Sequence, residues 1–472
     1  MQIPCYKLKH ALELVEPAIA RKPTLPITQN FLIQDGRVMA TNLEMAIAVD
    51  LPEAKGEPLC LPYGVVSKFI QYIPNTDILE ISIDGAKATI RAGRMSSTVH
   101  GADPKDFPPF PCITPDGAGS VDGDRLVNAL MGAVPATARD ESRPILTGVC
   151  LTFGDPIELA GADGFRLIWY EAPIKLEAPD GGPKSICIPR TSVLALEKVW
   201  KKAIKPPASG GGPSSEGFSG LAAKPALEAA RMAIAKRMAL VQYSAKENRM
   251  QLNFGEATFT TQLLVGESPN YRQLIPENLP HKVAFDAAEA YRAVRMLSGM
   301  AKDGSGIIRL LWEGDAIEFS ARAAEVGDIA QAIPATVRGP SGEGGKIAFN
   351  SRYLLEYLEK KEGLVLLEAT TPSSPGRFTH GRSPHYLVMP MFVNDEEGEP
   401  SDNPDCDRGT AEEINAELAP AADEGEPVED GHDIRATPEA ASAEEEPAKG
   451  RGEATNPPKS RRKSRSHPSS IS

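Results

Sequence analysis

The chain has 472 residues, more than one ordinary hydrophobic core organises, so two to four domains are expected. No apolar run reaches the ~18 residues of a membrane span, and the opening MQIPCYKLKHALEL lacks a leader's apolar core and cleavage site, which predicts a cytoplasmic protein without a membrane partner. The net charge of −13 belongs mainly to the end of the chain: from Asn394 onward 21 acids face 9 bases, whereas the rest holds 43 acids and 42 bases, so a local basic surface for nucleic acid is not excluded.

Taken in chain order, an amphipathic helical pattern begins near Cys5, with Lys7 and His10 on one side, and a second lies near Gly64. Asp77 to Gly101 reads as a strand, an Asp84-Gly85 turn and further strands. The same order recurs twice. Helical patterns near Gly123 and Thr191 flank a strand-rich stretch from Arg143 to Ala172. Patterns near Phe285 and Ser351 flank another from Gly306 to Ala321. Three units of two helices plus a strand meander fit the length once the middle unit carries an insertion. This predicts an α+β protein with mainly antiparallel sheets and helices packed on them. The insertion opens with KPPASGGGPSSEGFSG, Lys205 to Gly220, and a helix-like composition continues it, so it is placed at about residues 205–240.

The segment Asn394 to Ser472 is rich in Glu, Pro, Ala and Ser and nearly free of aromatics, which predicts disorder. It ends in a basic cluster, PKSRRKSRS. A weak contact with a partner or nucleic acid and a purely solubilising role are both open for it. The six cysteines, Cys5, Cys60, Cys112, Cys150, Cys187 and Cys406, form no CxxC pair and have no histidine cluster beside them. Free, mostly buried thiols are expected, with no disulfide framework, metal or cofactor.

The helical patterns carry basic faces. Val193, Leu196, Trp200 and Ala203 form an apolar stripe, and Lys198, Lys201, Lys202 and Lys205 lie roughly opposite. In the third unit Arg292, Arg295 and Lys302 share one face and Val294, Leu297 and Ala301 another. One such stripe is ordinarily a solvated surface. Its recurrence in comparable helices suggests a shared basic surface for phosphates, without aromatic stacking of bases.

No phosphate loop, dinucleotide fingerprint, HExxH, GxSxG or calcium-loop motif is present. Asp163 and Arg166 in GADGFRL are the best polar pair, and a turn closed by an ion pair explains them more simply than catalysis does.

Several segments in order resemble the bacterial DNA polymerase III beta subunit family, the replication sliding clamps. They are RKPTLPITQNFLIQDGRVMATNLEMAI (Arg21 to Ile47), DFPPFP (Asp106 to Pro111), DESRPILTGVCLTF (Asp140 to Phe153) and GADGFRL (Gly161 to Leu167). LLVGESPNYRQLIPE (Leu263 to Glu277), IAFNSRYLLEYL (Ile347 to Leu358) and YLVMPMF (Tyr386 to Phe392) complete the set. The resemblance implies three similar clamp-type domains, at 1–120, 121–279 and 280–393, each with two helices packed on antiparallel sheets. Together they would form half of a ring closed by a head-to-tail homodimer. It implies a non-enzymatic processivity factor that encircles double-stranded DNA without sequence preference. The partners would be the DNA polymerase III alpha subunit, the clamp loader and other proteins with clamp-binding peptides.

The family's peptide pocket falls here on Leu146, Ala162, Gly164, Phe165, Arg166 and Leu167, then Pro269, Tyr271, Gln273 and Leu274. Asn350, Tyr353, Leu387, Val388, Met389, Pro390 and Met391 complete it. Methionine repacks against varied guests, which suits such a pocket. DNA-facing positions would be Lys7, Lys22, Arg139, Lys198, Lys201, Lys202, Arg292, Arg295 and Lys302. The dimer contact would use Ser97 and Val99 against Gly299 and Met300, a less apolar set than is usual in the family. Asp140 and Glu141 put acids into a loop the family turns toward DNA. Two rivals stand beside this reading: a clamp-fold adaptor that binds partners without a stable DNA-encircling ring, and an enzyme using Asp163 and Arg166.

Overall fold

The computed structural model describes residues 1–393 except 86, 179–181, 205–236, 267, 277, 324–326, 341–343 and 382–383. Lys205, most of the expected insertion, Cys406 and the segment from Asn394 onward lie outside the described residues.

Three times over, the chain runs strand, helix, four strands, helix, three strands. The first set is β1 (Gln2–Pro4), α1 (Cys5–Val15), β2 (Asn30–Gln34), β3 (Arg37–Thr41), β4 (Met45–Asp50), β5 (Leu59–Pro62), α2 (Tyr63–Ile70), β6 (Ile78–Asp84), β7 (Lys87–Ala92) and β8 (Met95–His100). The second is β9 (Gly117–Asp122), α3 (Gly123–Ala133), β10 (Gly148–Thr152), β11 (Ile157–Ala162), β12 (Arg166–Ala172), β13 (Ser185–Pro189), α4 (Arg190–Ala203), β14 (Met238–Ser244), β15 (Arg249–Phe254) and β16 (Ala257–Gln262). The third is β17 (His281–Asp286), α5 (Ala287–Asp303), β18 (Ile307–Glu313), β19 (Ala316–Ala323), β20 (Gly327–Arg338), β21 (Gly345–Asn350), α6 (Ser351–Leu358), β22 (Leu364–Ala369), β23 (Gly376–His380) and β24 (His385–Val388). The chain is thus α+β, with three similar domains and antiparallel pairing throughout the described ladders.

Local chemistry fixes the helix starts. Asp122 caps α3 by accepting from the Arg125 N–H at 3.1 Å. Asp286 caps α5 through the Ala288 and Glu289 N–H groups at 3.0 and 2.9 Å. Each cap contributes on the order of 1 kcal/mol. In α1, Cys5, Leu8, Leu12 and Val15 are buried at helical spacing. In α4, Val193, Leu196 and Trp200 are buried in the same way, as the sequence pattern implies. The Trp200 ring lies 5.0 Å from that of Phe254 and its Nε1 donates to Asp124 at 2.7 Å. Gly123 makes room for the indole, since a Cβ there would meet ring atoms of Trp200.

The domains join edge to edge through their strands. The fourth strand of the first domain, β4, pairs with the last strand of the second, β16, from Met45↔Thr261 to Val49↔Ala257. The fourth strand of the second, β12, pairs with the last strand of the third, β24, from Arg166↔Val388 to Trp169↔His385. Two sheets therefore run across domain junctions, in the orders β5-β2-β3-β4-β16-β15-β14-β9 and β13-β10-β11-β12-β24-β23-β22-β17-β20-β19-β18-β21. A third, β1-β6-β7-β8, ends on β8.

Two expectations are corrected. Cys150 and Cys187 are disulfide-bonded, not free. They face each other in the β10–β13 ladder, a neighbourhood that their separation in sequence does not reveal. Cys5 and Cys60 are free and buried, and Cys112 is free and exposed. The insertion ends earlier than expected, because Met238 to Leu240 already belong to β14, paired with β9. Among the described residues no helix is long and apolar enough to cross a membrane.

Candidate functional site

The junction of the second and third domains is organised by one turn. Gly164, at φ +88°, takes the left-handed conformation that lets β11 reverse into β12. Asp163 Oδ1 closes the turn by accepting the Phe165 and Arg166 N–H groups, both at 3.0 Å. This aims Arg166 into the junction, where its side chain is only 2% exposed.

Arg166 ties the two domains together. Its Nε donates to Asp163 Oδ2 at 2.9 Å and its Nη1 to Glu356 Oε2 at 2.6 Å, on α6. Nη1 also donates to the Tyr386 hydroxyl at 3.2 Å, and the guanidinium lies 4.3 Å above the centre of the Tyr353 ring. Burial opposes the charge on Arg166, but Tyr386, Asp163 and Glu356 outweigh it and raise its pKa. Burial pushes the Asp163 carboxyl up, with Arg166 opposing. Burial also acts upward on Glu356, yet its bonds to Arg166 and Arg352 hold it below the ordinary value. The Asp163–Arg166 pair is therefore a turn and an ion pair built into the junction, as its position in the sequence suggests.

Around this post lies an open apolar cleft lined by Ala162, Gly164, Phe165, Arg166, Leu167, Leu274, Pro375, Leu387 and Met389. A smaller neighbouring cavity shares Ala162 and Leu167 and adds Leu146, Pro269 and Tyr271. The Tyr271 hydroxyl donates to Glu158 at 3.1 Å, and burial followed by the Glu158 charge pushes its pKa up to about 12. Backbone bonds fix the wall: the Met389 N–H donates to the Phe165 carbonyl at 2.9 Å and the Met391 N–H to the Ala348 carbonyl at 2.8 Å. Phe165, 49% exposed, stands at the mouth.

The remaining pocket candidates divide between the cleft and its surroundings. Strand alternation turns Leu387 toward the cleft beside its partner Leu167, and turns Val388 into the core, where it is fully buried. Asn350 caps α6 through the Arg352 N–H at 3.0 Å. Tyr353 lies beneath Arg166, Gln273 is exposed, Pro390 is buried and Met391 is half-buried; none of them lines either cavity. Pro375 escapes sequence reasoning because it lies outside the family-like segments and reaches the wall only through the β23–β24 ladder that it precedes.

The basic candidates divide by pairing. Lys7 is paired with Glu53, Lys201 with Glu197 at 2.5 Å, Lys202 with Glu16 at 3.2 Å, and Arg139 with Glu356 at 3.0 Å. Arg292 is 3.9 Å from Glu289, and Arg295 donates to the Tyr291 hydroxyl. Among the described residues Lys22, Lys198 and Lys302 are exposed without an ion pair. Of the dimer candidates, Gly299 is exposed and Ser97 and Met300 half-exposed, whereas Val99 faces the core of its own domain. On β8 the outward neighbours of Val99 are Thr98 and His100. Among the described residues no His, Cys, Asp or Glu cluster is suited to a metal ion.

Three repeats joined strand to strand, with an apolar cleft at one junction, define a clamp-fold protein. Comparisons agree. Residues 272–391 match the family described as DNA polymerase III beta subunit, C-terminal domain. The beta sliding clamp of Synechococcus elongatus is 25% identical over 408 residues, covering 82% of this chain and 97% of that protein. That of Streptomyces coelicolor is 24% identical over 406 residues, with the same coverages. The crystal structure of the DNA polymerase III beta subunit from Thermotoga maritima superposes with a TM-score of 0.69 at 21% identity, covering 83% of this chain and 99% of that one. A Pseudomonas aeruginosa sliding clamp bound to griselimycin superposes with a TM-score of 0.68 at 20% identity, with 83% and 99% covered. Over residues 272–391 the chain thus matches the DNA polymerase III beta subunit family, and over most of its length it is similar to bacterial beta sliding clamps.

Proposed function

We propose that this protein is a DNA sliding clamp, a non-catalytic subunit that closes around duplex DNA as a head-to-tail dimer and tethers the replicative polymerase. The observation that carries ring closure is the strand rule at the junctions. Each domain offers its fourth strand to the last strand of the next. Among the described residues the outer half of β20, Gly327 to Ile333, pairs only with β19, and β8 only with β7. These are the fourth strand of the third domain and the last strand of the first, the two ends the rule leaves over. A second copy supplies each with its partner, and an isologous two-fold arrangement satisfies both at once.

Held this way, the ring stays on DNA by topology. Lys22, Lys198 and Lys302 supply mobile cations to phosphates that are equivalent along the duplex, so attraction does not arrest sliding. Tethering raises the polymerase's effective concentration at the primer end to about the millimolar range. The cleft around Leu387 and Met389 serves as the docking pocket for short apolar peptides of the polymerase alpha subunit, the clamp loader and other partners. Work on bacterial DNA puts the protein in the cytoplasm.

A Pseudomonas aeruginosa sliding clamp binds griselimycin, and we propose this cleft as the place where the present chain would take it, which makes the compound a probe of the pocket. Saturable binding that weakens on Met389→Ala supports the assignment. Affinity unaffected by Met389→Ala and by Leu387→Ala rejects it.

A further inference from the structure

Beside the cleft lies a cluster of four arginines. Glu356 accepts from Arg139 and Arg352, each at 3.0 Å, as well as from Arg166. Arg190 donates to neutral groups, the Val134 carbonyl at 2.5 Å and the Thr137 hydroxyl at 2.8 Å. Burial lowers the pKa of Arg190, and the charges of Arg139, Arg166 and Arg352 lower it further, against the pull of Glu356. Three guanidiniums, Arg139, Arg166 and Arg352, thus share two carboxylates, Asp163 and Glu356, and Arg190 beside them pairs with neither. Glu44 and Glu141 border the cleft that Arg139 and Arg190 line, but among the described residues neither pairs with these arginines. Arg139 and Arg352 remain 56% and 52% exposed, so both guanidiniums are accessible to an acidic ligand.

The chain leaves the described residues at this rim. Met389 lines the cleft, and Met391 is fastened to Ala348, four positions before Arg352. The sequence continues as NDEEGEPSDNPDCD, Asn394 to Asp407, with seven acids and no lysine or arginine. At ~3.3–3.6 Å per extended residue, its first carboxylates come within about 15 Å of the Met391 anchor, close enough to span to the rim.

We propose that Asn394–Asp407 docks in cis on the Arg139 and Arg352 rim and competes with ligands of the adjacent cleft. The proposal rests on the pocket assignment above. It makes the acidic segment a built-in competitor that a strong partner displaces and a weak one does not. A segment tethered so closely has an effective concentration of about millimolar or more, so even a docking constant near 1 mM keeps the rim substantially covered.

The test uses the full chain and a full-length variant with the seven acids neutralised (Asp395→Asn, Glu396→Gln, Glu397→Gln, Glu399→Gln, Asp402→Asn, Asp405→Asn, Asp407→Asn). Griselimycin affinity is measured by calorimetry at low salt. The neutralised variant is expected to bind about 3- to 10-fold more tightly, and the gap is expected to close near 1 M salt, where screening acts within ~3 Å. Arg139→Gln is expected to tighten binding in the natural chain and to add nothing in the neutralised one. Equal affinity of the two chains at low salt, or a gain independent of Arg139, overturns the docking proposal while leaving the pocket standing. No griselimycin binding to either chain overturns the pocket assignment and the proposal together.

Discussion

Replacing Arg166 by methionine tests the junction most sharply. The change removes the bonds to Asp163, Glu356 and Tyr386 and the stacking on Tyr353, while keeping a long apolar stem. Each bond to a charged group contributes about 1.5–3 kcal/mol, but the losses differ in kind. Glu356 retains Arg139 and Arg352. Asp163 is left buried with no cation among the described residues, holding only its turn N–H groups. Breaking a buried pair from one side costs about 3–5 kcal/mol, and the surviving bonds at Glu356 place this case near the lower end. Burial already raises the Asp163 pKa, and without Arg166 it rises further. A folded pKa above the unfolded ~3.9 means that the folded state binds the proton more tightly. The penalty is therefore small below the unfolded value and grows as pH rises through the folded one. Urea unfolding at pH 7.5 is expected to show a loss of about 3 kcal/mol, shrinking at pH 4.5. Asp163→Asn in the same chain is expected to recover part of it, since the amide oxygen still closes the turn. A loss below about 1 kcal/mol, or a deficit identical at both pH values, would refute the role assigned to Arg166.

Three further outcomes are expected. Met389→Ala should weaken griselimycin binding about tenfold, the scale of 1–2 kcal/mol for a truncated apolar wall, and Met391→Ala less than twofold, as calorimetry will read. Removing Lys22 or Lys198 should each lower the salt slope of DNA affinity by about one, whereas Lys7→Ala, whose charge Glu53 already meets, should change it little. Ala330→Glu combined with Ala332→Glu, on the exposed outer half of β20, should convert dimers to monomers by sedimentation and leave each monomer's melting temperature within a few degrees.

The sequence carries the fold well where apolar period and caps coincide. Asp122 and Asp286 mark helix starts that the pattern near Gly123 and Phe285 places within two residues. Strand turns at Asp84-Gly85 and Asp163-Gly164 are equally legible, because glycine at φ +56° and +88° satisfies a backbone demand. Pairing at long range is what escapes. Glu356 meets Arg166 across 190 residues, and Cys187 meets Cys150 across 37. No local pattern encodes either. The segment YLVMPMF also hides its parity: Leu387 and Met389 face the cleft while Tyr386 and Val388 face the core, a division set by the register with β12. The edge that β20 leaves open among the described residues is hidden for the same reason, since it shows only once the neighbouring strands have found their partners.

Ring closure is the claim on which the rest depends, and retention on DNA of two topologies tests it directly. The protein is loaded onto a nicked circular plasmid, and half of the complexes are linearised before gel filtration at moderate salt. The account expects protein to remain on circles and to be lost from linear molecules by sliding off the ends, with a particle of twice the 50.5 kDa chain mass recovered free. Equal retention on circles and linear DNA, or recovery of single chains only, would contradict it.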